Sequence, residues 1–419
     1  MSQDDDYDPV EVFPDDEMDL RTGADGCYKC STCDTACPVA EVDDEFPGPK
    51  FQGPEQWRLR RKEGHEIDDS ITHCSNCMRC DDACPTEVPL SQMHNEARAR
   101  HADENGLPLR NRLLANYRTA AAVASKVPRL ANFLTGLSAG RWLAERLLGV
   151  TAEREFPEFA AQTFREWWDE RGGARVESDS KRVAYFHGCY ANYNTPEVGR
   201  ALVRTFEAFG YEVTVPEQRC SGTPMFANGA LDDARRDARV NVDALGDCVA
   251  EGYDVVCSCT SCSMALRQEY PELFDVDGVE RVAENTYEAV EYLRLFEDLR
   301  GELEAASVDA GGLAYHTPCH ARNQGLAGRT VELFDRLDGA APADVGDSCS
   351  GISGTYGWKA EHYETSMAVG EEMFEEMETV PGETGLTECP TCAMQMEHGT
   401  GYEVRHPLEL LEDALVDDA

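Results

Sequence analysis

Two repeat lengths among the cysteines constrain this chain more than any other feature. Cys27, Cys30, Cys33 and Cys37 recur as Cys74, Cys77, Cys80 and Cys84, each 47 residues later. Cys189, Cys220, Cys259 and Cys262 recur as Cys319, Cys349, Cys389 and Cys392, at offsets of 130, 129, 130 and 130. Sixteen of the 18 cysteines belong to these sets, leaving Cys248 and Cys257. Spacings kept twice over mark repeated structural units. At 419 residues the chain can bury several apolar cores, so its cysteines are not needed as staples for a small fold.

The first repeat marks a domain over 21–105. The second marks two halves, 179–305 and 306–419, and each reads strand, cysteine, helix, strand, cysteine, helix, strand, CxxC. VAYFHGC ends an apolar strand, EVGRALVRTFEAFG is an amphipathic helix closed by Gly210, and YEVTV and YDVVCSCTSC supply further strands. GGLAYHTPC and LTECPTC open and close the second half in the same way. Short apolar strands alternating with helices imply parallel sheets with the cysteines at the strand C-terminal ends. Open α/β sheets place ligands at that edge. The expected fold class is therefore α+β and α/β: a helical ferredoxin-type domain followed by a duplicated α/β cysteine-rich domain.

CYKCSTCDTACP and CSNCMRCDDACP both read C-x2-C-x2-C-x3-C-P, the bacterial two-cluster ferredoxin run, whose fourth cysteine serves the other cluster. This predicts two [4Fe–4S] clusters. Cys27, Cys30, Cys33 and Cys84 hold the first; Cys74, Cys77, Cys80 and Cys37 hold the second. Zinc knuckles also use CxxC pairs, but zinc chemistry does not call for the third cysteine and the proline twice over.

The chain carries 80 acidic and 38 basic residues, a net charge of −42, with the acids spread along its length. Such a surface repels itself in dilute salt and is screened in concentrated salt, which points to a salt-rich cytoplasm. It argues against nucleic-acid binding, which needs basic patches. Residues 1–20 are acidic, have no apolar core, and read as a disordered tail and not a secretory signal. No uncharged apolar run is long enough to span a bilayer. A cytoplasmic location follows, where eighteen cysteines mean metal or redox chemistry over disulfides.

The pattern C-x(~30)-C-[C/S]-G-x(~37)-CxxC, present twice, resembles the cysteine-rich "CCG" domain. That domain occurs in heterodisulfide reductases and in iron–sulfur subunits of glycolate, lactate and glycerol-3-phosphate dehydrogenases. HGCYANYNTP, CSGTPMFANG, ALRQEYPELF, YHTPCH, CSGISGTYGW, CPTCAMQME and FPGPKFQGPEQWRLR resemble the iron–sulfur subunit family of anaerobic glycerol-3-phosphate dehydrogenases. The resemblance implies an electron-transfer protein. It would take electrons from FAD-containing subunits that oxidise glycerol 3-phosphate, and pass them to the membrane quinone pool. The chain has no G-x-G-x-x-G fingerprint, in keeping with no FAD or NAD of its own and no catalytic residue here. Iron–sulfur subunits of glycolate or lactate oxidases, heterodisulfide reductase-like complexes and, more remotely, a non-redox zinc scaffold are the alternatives.

The CCG motif often carries two adjacent cysteines, whereas both copies here have one, Cys220–Ser221 and Cys349–Ser350. Four thiolates suit an ordinary cubane. The expected third and fourth clusters use Cys189, Cys220, Cys259 and Cys262 (with Cys257 as an alternate) and Cys319, Cys349, Cys389 and Cys392. A zinc site or a redox dithiol at CTSC or CPTC is the alternative at each. The glycines of DSCSGISGTYGW would let the backbone approach a bulky cluster. Cys248, Met264 and Met394 read as packing residues. His187, His316 and His320 sit beside cysteines, to pack or to hydrogen-bond sulfur.

Residues 106–178 read as a helical linker. Within it, 110–150 carries seven basic residues and one acid, and Pro128 divides it into two helices. Leu113, Leu114 and Tyr117, then Leu130, Phe133, Leu134 and Leu137, follow helical spacing. A basic, apolar stretch on so acidic a chain fits a membrane surface, or equally a face docked on its own domains.

Overall fold

A computed structural model describes residues 23–63 and 66–416 of the protein. The acidic stretch 1–20, expected as a disordered tail, lies outside them. Short helical turns flank the first cysteine loops, and one long helix, α1 (Leu90–Asn105), backs them. Leu90 and Met93 of α1 pack with Val88, Cys33 and Cys80, and Ala97 packs with Ile67 and Ile71. The cysteines are thus part of the small core here, as in scaffolds with too few apolar residues to stand alone.

Four helices follow: α2 (Leu109–Ala115), α3 (Tyr117–Ala124), α4 (Pro128–Gly136) and α5 (Ser138–Leu148). Pro128 opens α4, where its missing N–H is an orphan anyway. The two helices expected from Pro128 are four, because the backbone leaves the helical region twice more. Asn116 does so at φ −99°, its amide bonding back to the Arg112 carbonyl at 3.0 Å, and Leu137 does so at φ −73° and ψ 125°. No residue of α4 or α5 is buried.

The chain then runs along the second half. Arg154 donates to the Gly357 carbonyl at 2.8 Å and to Ser366 Oγ at 3.0 Å. A capping box of Thr163 and Glu166 starts α6 (Phe164–Glu170). Phe164 and Trp168 enter the core of the first half.

That half comprises β1 (Arg182–Phe186), α7 (Pro196–Ala208), β2 (Glu212–Thr214), α8 (Leu231–Ala250), β3 (Asp254–Cys257), α9 (Thr260–Met264), β4 (Thr286–Glu288) and α10 (Ala289–Phe296). Its sheet is parallel throughout, in the order β2-β1-β3-β4, with Val183 opposite Val213 and Tyr185 opposite Val256. The second half repeats it with β5 (Ser307–Tyr315), β6 (Asp338–Asp344), α11 (Tyr363–Thr379), β7 (Thr384–Leu386), α12 (Pro390–Thr400), β8 (Glu403–Arg405) and α13 (Pro407–Leu415). The order is β6-β5-β7-β8, again parallel. The fold class agrees with the sequence. The fourth strands, β4 and β8, were not expected; TYE and EVR stand in no apolar run of the kind that YEVTV gives β2.

β1 is apolar on both faces because helices cover a parallel sheet on both sides. Val198, Leu202 and Phe206 of α7 point to the core, and burying Phe206 alone is worth about 2–3 kcal/mol. Gly199 lets α6 lie on α7, since a Cβ there would stand 2.7 Å from the Phe164 ring. The two halves share one core, in which Val183 and Leu202 pack with Leu313, Leu333 and Leu408.

Candidate iron–sulfur centres

Cys27, Cys30, Cys33 and Cys84 line one small cavity; Cys37, Cys74, Cys77 and Cys80 line another. The fourth cysteine of each run therefore lies with the first three of the other. Lys29 and Ser31 have φ of 64°, and Asn76 and Met78, 47 positions on, have φ of 61°. Each left-handed non-glycine costs roughly 1–2 kcal/mol, and both loops bear it at the same places. Alternating left-handed residues curl the backbone, turn the thiols inward and leave N–H groups around the centre.

Thiols gathered in this way resist ionising unless a cation joins them. Burial, with Asp34, Cys27 and Cys84, pushes Cys33 up to about 12. Burial and Cys77 raise Cys37, and burial and Asp81 raise Cys80. Two go the other way: bonds from Thr32 lower Cys30, and, against burial, a hydrogen bond with His94 brings Cys74 down to about 6. His94 Nδ1 lies 3.8 Å from Cys74 Sγ and its Nε2 3.0 Å from the Pro49 carbonyl. Four soft thiol donors around one small centre, twice, fit [4Fe–4S] clusters.

In the first half Cys189 follows β1, Cys220 follows β2, and Cys259 and Cys262 bracket the start of α9. The thiols of Cys189 and Cys220 adjoin, as do those of Cys259 and Cys262, and all four are free. Gly188, at φ +67°, keeps the pairs close, since a Cβ would come 2.9 Å from Cys262 Sγ. Cys319, Cys349, Cys389 and Cys392 repeat the arrangement, with Cys319 adjoining Cys349 and Cys389 adjoining Cys392. The Cys392 bond, against burial, and the Thr391 hydroxyl hold Cys389 down at about 6.

The two serines face these quartets. Ser350 Oγ donates to Cys392 Sγ at 3.4 Å, and Cys262 Sγ donates to Ser221 Oγ at 3.5 Å. The glycine after Ser350 acts otherwise than expected. A Cβ on Gly351 (φ +84°) would strike the Ser366 carbonyl and the Gly370 nitrogen of α11, so this glycine admits a helix and not a cluster.

The C-terminal edges of the two sheets converge on a cavity of about 440 Å³ lined by all eight of these cysteines and by Cys77. The ferredoxin-type domain meets the second half there. Cys77 and Cys349 adjoin on the cavity wall, Arg79 pairs with Asp347 at 3.1 Å, and Arg322 pairs with Asp82 at 3.1 Å. Arg322 also stands beside Cys319 and Cys77. The ferredoxin-type domain reaches the first half through α1, where Arg98 donates to the Phe226 carbonyl at 3.1 Å and Gln92 to the Glu272 carbonyl at 3.3 Å, while α3 reaches the first-half quartet. Arg118 stands beside Cys189, and Tyr117 stacks on Tyr190 at 5.3 Å. Between the halves, Ser261 Oγ lies 4.0 Å from Cys389 Sγ.

Cys257 ends β3 fully buried in an apolar core and does not line the cavity. Cys248 packs at the edge of that core, as expected. His187 and His316 bond the backbone carbonyls of Gly188 and Ser348, and His320 is on the cavity wall. The histidine at a sulfur is His94, which sequence reasoning missed. It lies 20 residues from Cys74 in an ordinary stretch of helix, so local spacing carried no signal.

A family described as "4Fe-4S dicluster domain" matches residues 23–88. One described as "Cysteine-rich domain" matches 183–267 and 313–397. The chain is 35% identical over 399 residues to an anaerobic glycerol-3-phosphate dehydrogenase subunit of Escherichia coli (strain K12), covering 94% of this chain and 99% of that one. It is 26% identical to a fumarate reductase (CoM/CoB) subunit of Methanothermobacter marburgensis, over 97% of this chain and 75% of that one. It is 25% identical to the glycolate oxidase iron–sulfur subunit of E. coli, over 93% of each.

Proposed function

The chain belongs to the family of that anaerobic glycerol-3-phosphate dehydrogenase subunit, and it is an iron–sulfur electron-transfer protein. From that premise we propose that it carries electrons from FAD-containing subunits oxidising glycerol 3-phosphate to the membrane quinone pool. The four cysteine quartets each hold a [4Fe–4S] cluster, which supplies one-electron storage. The domain bounds 21–105, 106–178, 179–305 and 306–419 serve as working limits. The observation that carries the reading is the contact of Cys77 with Cys349, which joins the ferredoxin-type pair to the second half without a break.

The protein works at the inner face of the membrane through α4 and α5. Phe133 is 63% exposed, Trp142 61% and Leu147 71%. Apolar groups this large, on a basic stretch of a chain at −42, suit an anionic bilayer surface. Among the described residues no helix is long and apolar enough to cross a membrane. The net charge fits a salt-rich cytoplasm.

Anaerobic iron and sulfide quantitation with EPR on reduced protein tests the cluster count. Four clusters mean about sixteen irons; about eight would leave only the ferredoxin-type pair. For the membrane, Phe133→Ser/Trp142→Ser/Leu147→Ser should abolish flotation with anionic vesicles. Unchanged flotation sinks that part. Deleting 110–150 is the poorer test, because it also removes Tyr117 and Arg118 from the first-half site.

A further inference from the structure

We propose that the cavity between the two cysteine-rich halves binds the headgroup of a quinone, reached from the apolar helices past Tyr117. This rests on the quinone-linked reading above and adds the place and the residues.

The cavity extends beyond the cysteines. Tyr117 and Tyr190 give one wall a flat aromatic face, with the rings 14° from parallel, and Tyr117 donates to Asn194 at 2.7 Å. Tyr117 also opens α3, whose Val123 is exposed and whose chain leads on to the unburied α4 and α5. A molecule dissolved in the bilayer and drawn to those helices would meet the cavity at this residue. The lining also carries four carboxyls, Glu197, Glu397, Glu403 and Glu409. Burial raises Glu197, Glu397 and Glu409, so each keeps its proton to higher pH than an exposed glutamate does.

The lining also selects against other acceptors. Arg405 is its one arginine or lysine among the described residues, and it is paired with Asp413 at 2.6 Å. The phosphates of a dinucleotide would find four carboxyls and a single cation already paired with Asp413 in this lining, and so no open guanidinium or ammonium to hold them. A neutral ring with two carbonyl oxygens meets no such penalty, and the tyrosine pair offers it a stacking face.

The chemistry balances without a further reagent. Each carbonyl oxygen of the quinone gains one electron and one proton and becomes a hydroxyl, with no heavy-atom bond made or broken. Clusters held by the quartets would supply the two electrons. Glu397 and Glu409 are the lining carboxyls that pass on the two protons and recover them from solvent.

The test uses the full, cluster-loaded chain. Photolabelling with an azido-naphthoquinone should mark the peptides bearing Tyr117 or residues 390–409, and Tyr117→Trp, which fills the mouth, should abolish those marks. Labels confined to 128–148 overturn the proposal. In stopped flow, menadione should reoxidise the dithionite-reduced chain. Glu397→Gln, with iron content unchanged, should slow this by roughly a hundredfold, the scale of losing a positioned proton donor. If menadione reoxidises both variants at the wild-type rate, the cavity assignment falls and the quinone-linked reading stands. If menadione fails on the wild-type chain, the reading itself falls. Displacement of the label by a small organic disulfide and not by menadione overturns the ligand class.

Discussion

The two cysteine-rich halves share strand order, cysteine spacing and a serine at the same place, yet their quartets have different neighbours. The second half has Cys77 of the ferredoxin-type domain against Cys349 and the Arg322 guanidinium between Cys319 and Cys77. The first half has Arg118 and Tyr117 from the basic helices. Beneath the quartets the duplication departs again. Tyr185 bonds Ser258 at 2.8 Å, whereas Tyr315, 130 residues on, donates to a buried carboxyl, Glu388, at 3.0 Å. Duplication copied the scaffold, and different groups dock on each copy. On the proposed route electrons pass from the ferredoxin-type pair to the second half, while the basic stretch touches both halves, with Tyr117 on Tyr190 and with Leu114 and Leu148 on Ile352 and Trp358.

The largest break in this comparison is Cys349→Ser. It should remove about four of about sixteen irons and stop electrons passing from the ferredoxin-type pair into the halves. Cys220→Ser should remove as much iron but leave the second-half cluster reducible. Iron quantitation with EPR during stepwise reduction checks both, and loss of the second-half signal in Cys220→Ser would refute the route.

Next comes a buried acid that only the first half has. Neither carboxylate oxygen of Glu269 has a hydrogen-bond partner among the described residues, and burial, with Glu272 and Asp81, pushes it up to about 8. Gly399 stands 130 residues on, where a Cβ would strike the Phe374 ring. The folded protein holds a proton that the unfolded chain releases above about 4.5. Stability is therefore full below that pH and falls as pH rises towards about 8. Glu269→Gln should remove this slope and raise stability at pH 8 by about 2–3 kcal/mol, taking part of the linkage as relaxed by solvent. Denaturant midpoints at pH 5 and pH 8 decide, and equal slopes in both proteins would refute it.

A smaller effect sharpens the electrostatic difference. Arg322→Gln should lower the second-half potential by about 60 mV, the equivalent of about 1.4 kcal/mol for one electron, and spare the first half. Arg118→Gln should do the reverse. A redox titration that shifts both signals together would undo the assignment. The smallest effect belongs to Ser350→Ala, which loses the bond to Cys392 Sγ. Iron content should be unchanged and stability lower by about 1 kcal/mol. Loss of iron would make the serine a ligand.

Much of this was legible from the cysteine offsets, because a ligand set repeated at fixed spacing leaves few ways to fold. The strand-to-cysteine order showed in VAYFHGC and GGLAYHTPC, since burial of a parallel sheet on both faces writes itself as apolar runs. β4 and β8 were invisible because neither TYE nor EVR stands in an apolar run, whereas the equally short β2 lies within YEVTV. His94, Arg118 and Arg322 were missed because their partners are distant in the chain or on another domain. Gly351 was misread because the helix that crowds it lies 15 residues on, at Ser366.

The sequence by itself determined the cysteine sets, the duplicated α/β plan, the acid excess and the basic stretch, all of which are local patterns or simple repeats. Only the tertiary structure decided which quartet meets the ferredoxin-type domain and which meets α3. Only it showed that the halves share a core and a cavity, and that the basic stretch docks Leu114 and Tyr117 on the halves while Phe133, Trp142 and Leu147 stay in solvent. These depend on how surfaces far apart in the chain fit together, and neither spacing nor composition encodes that fit.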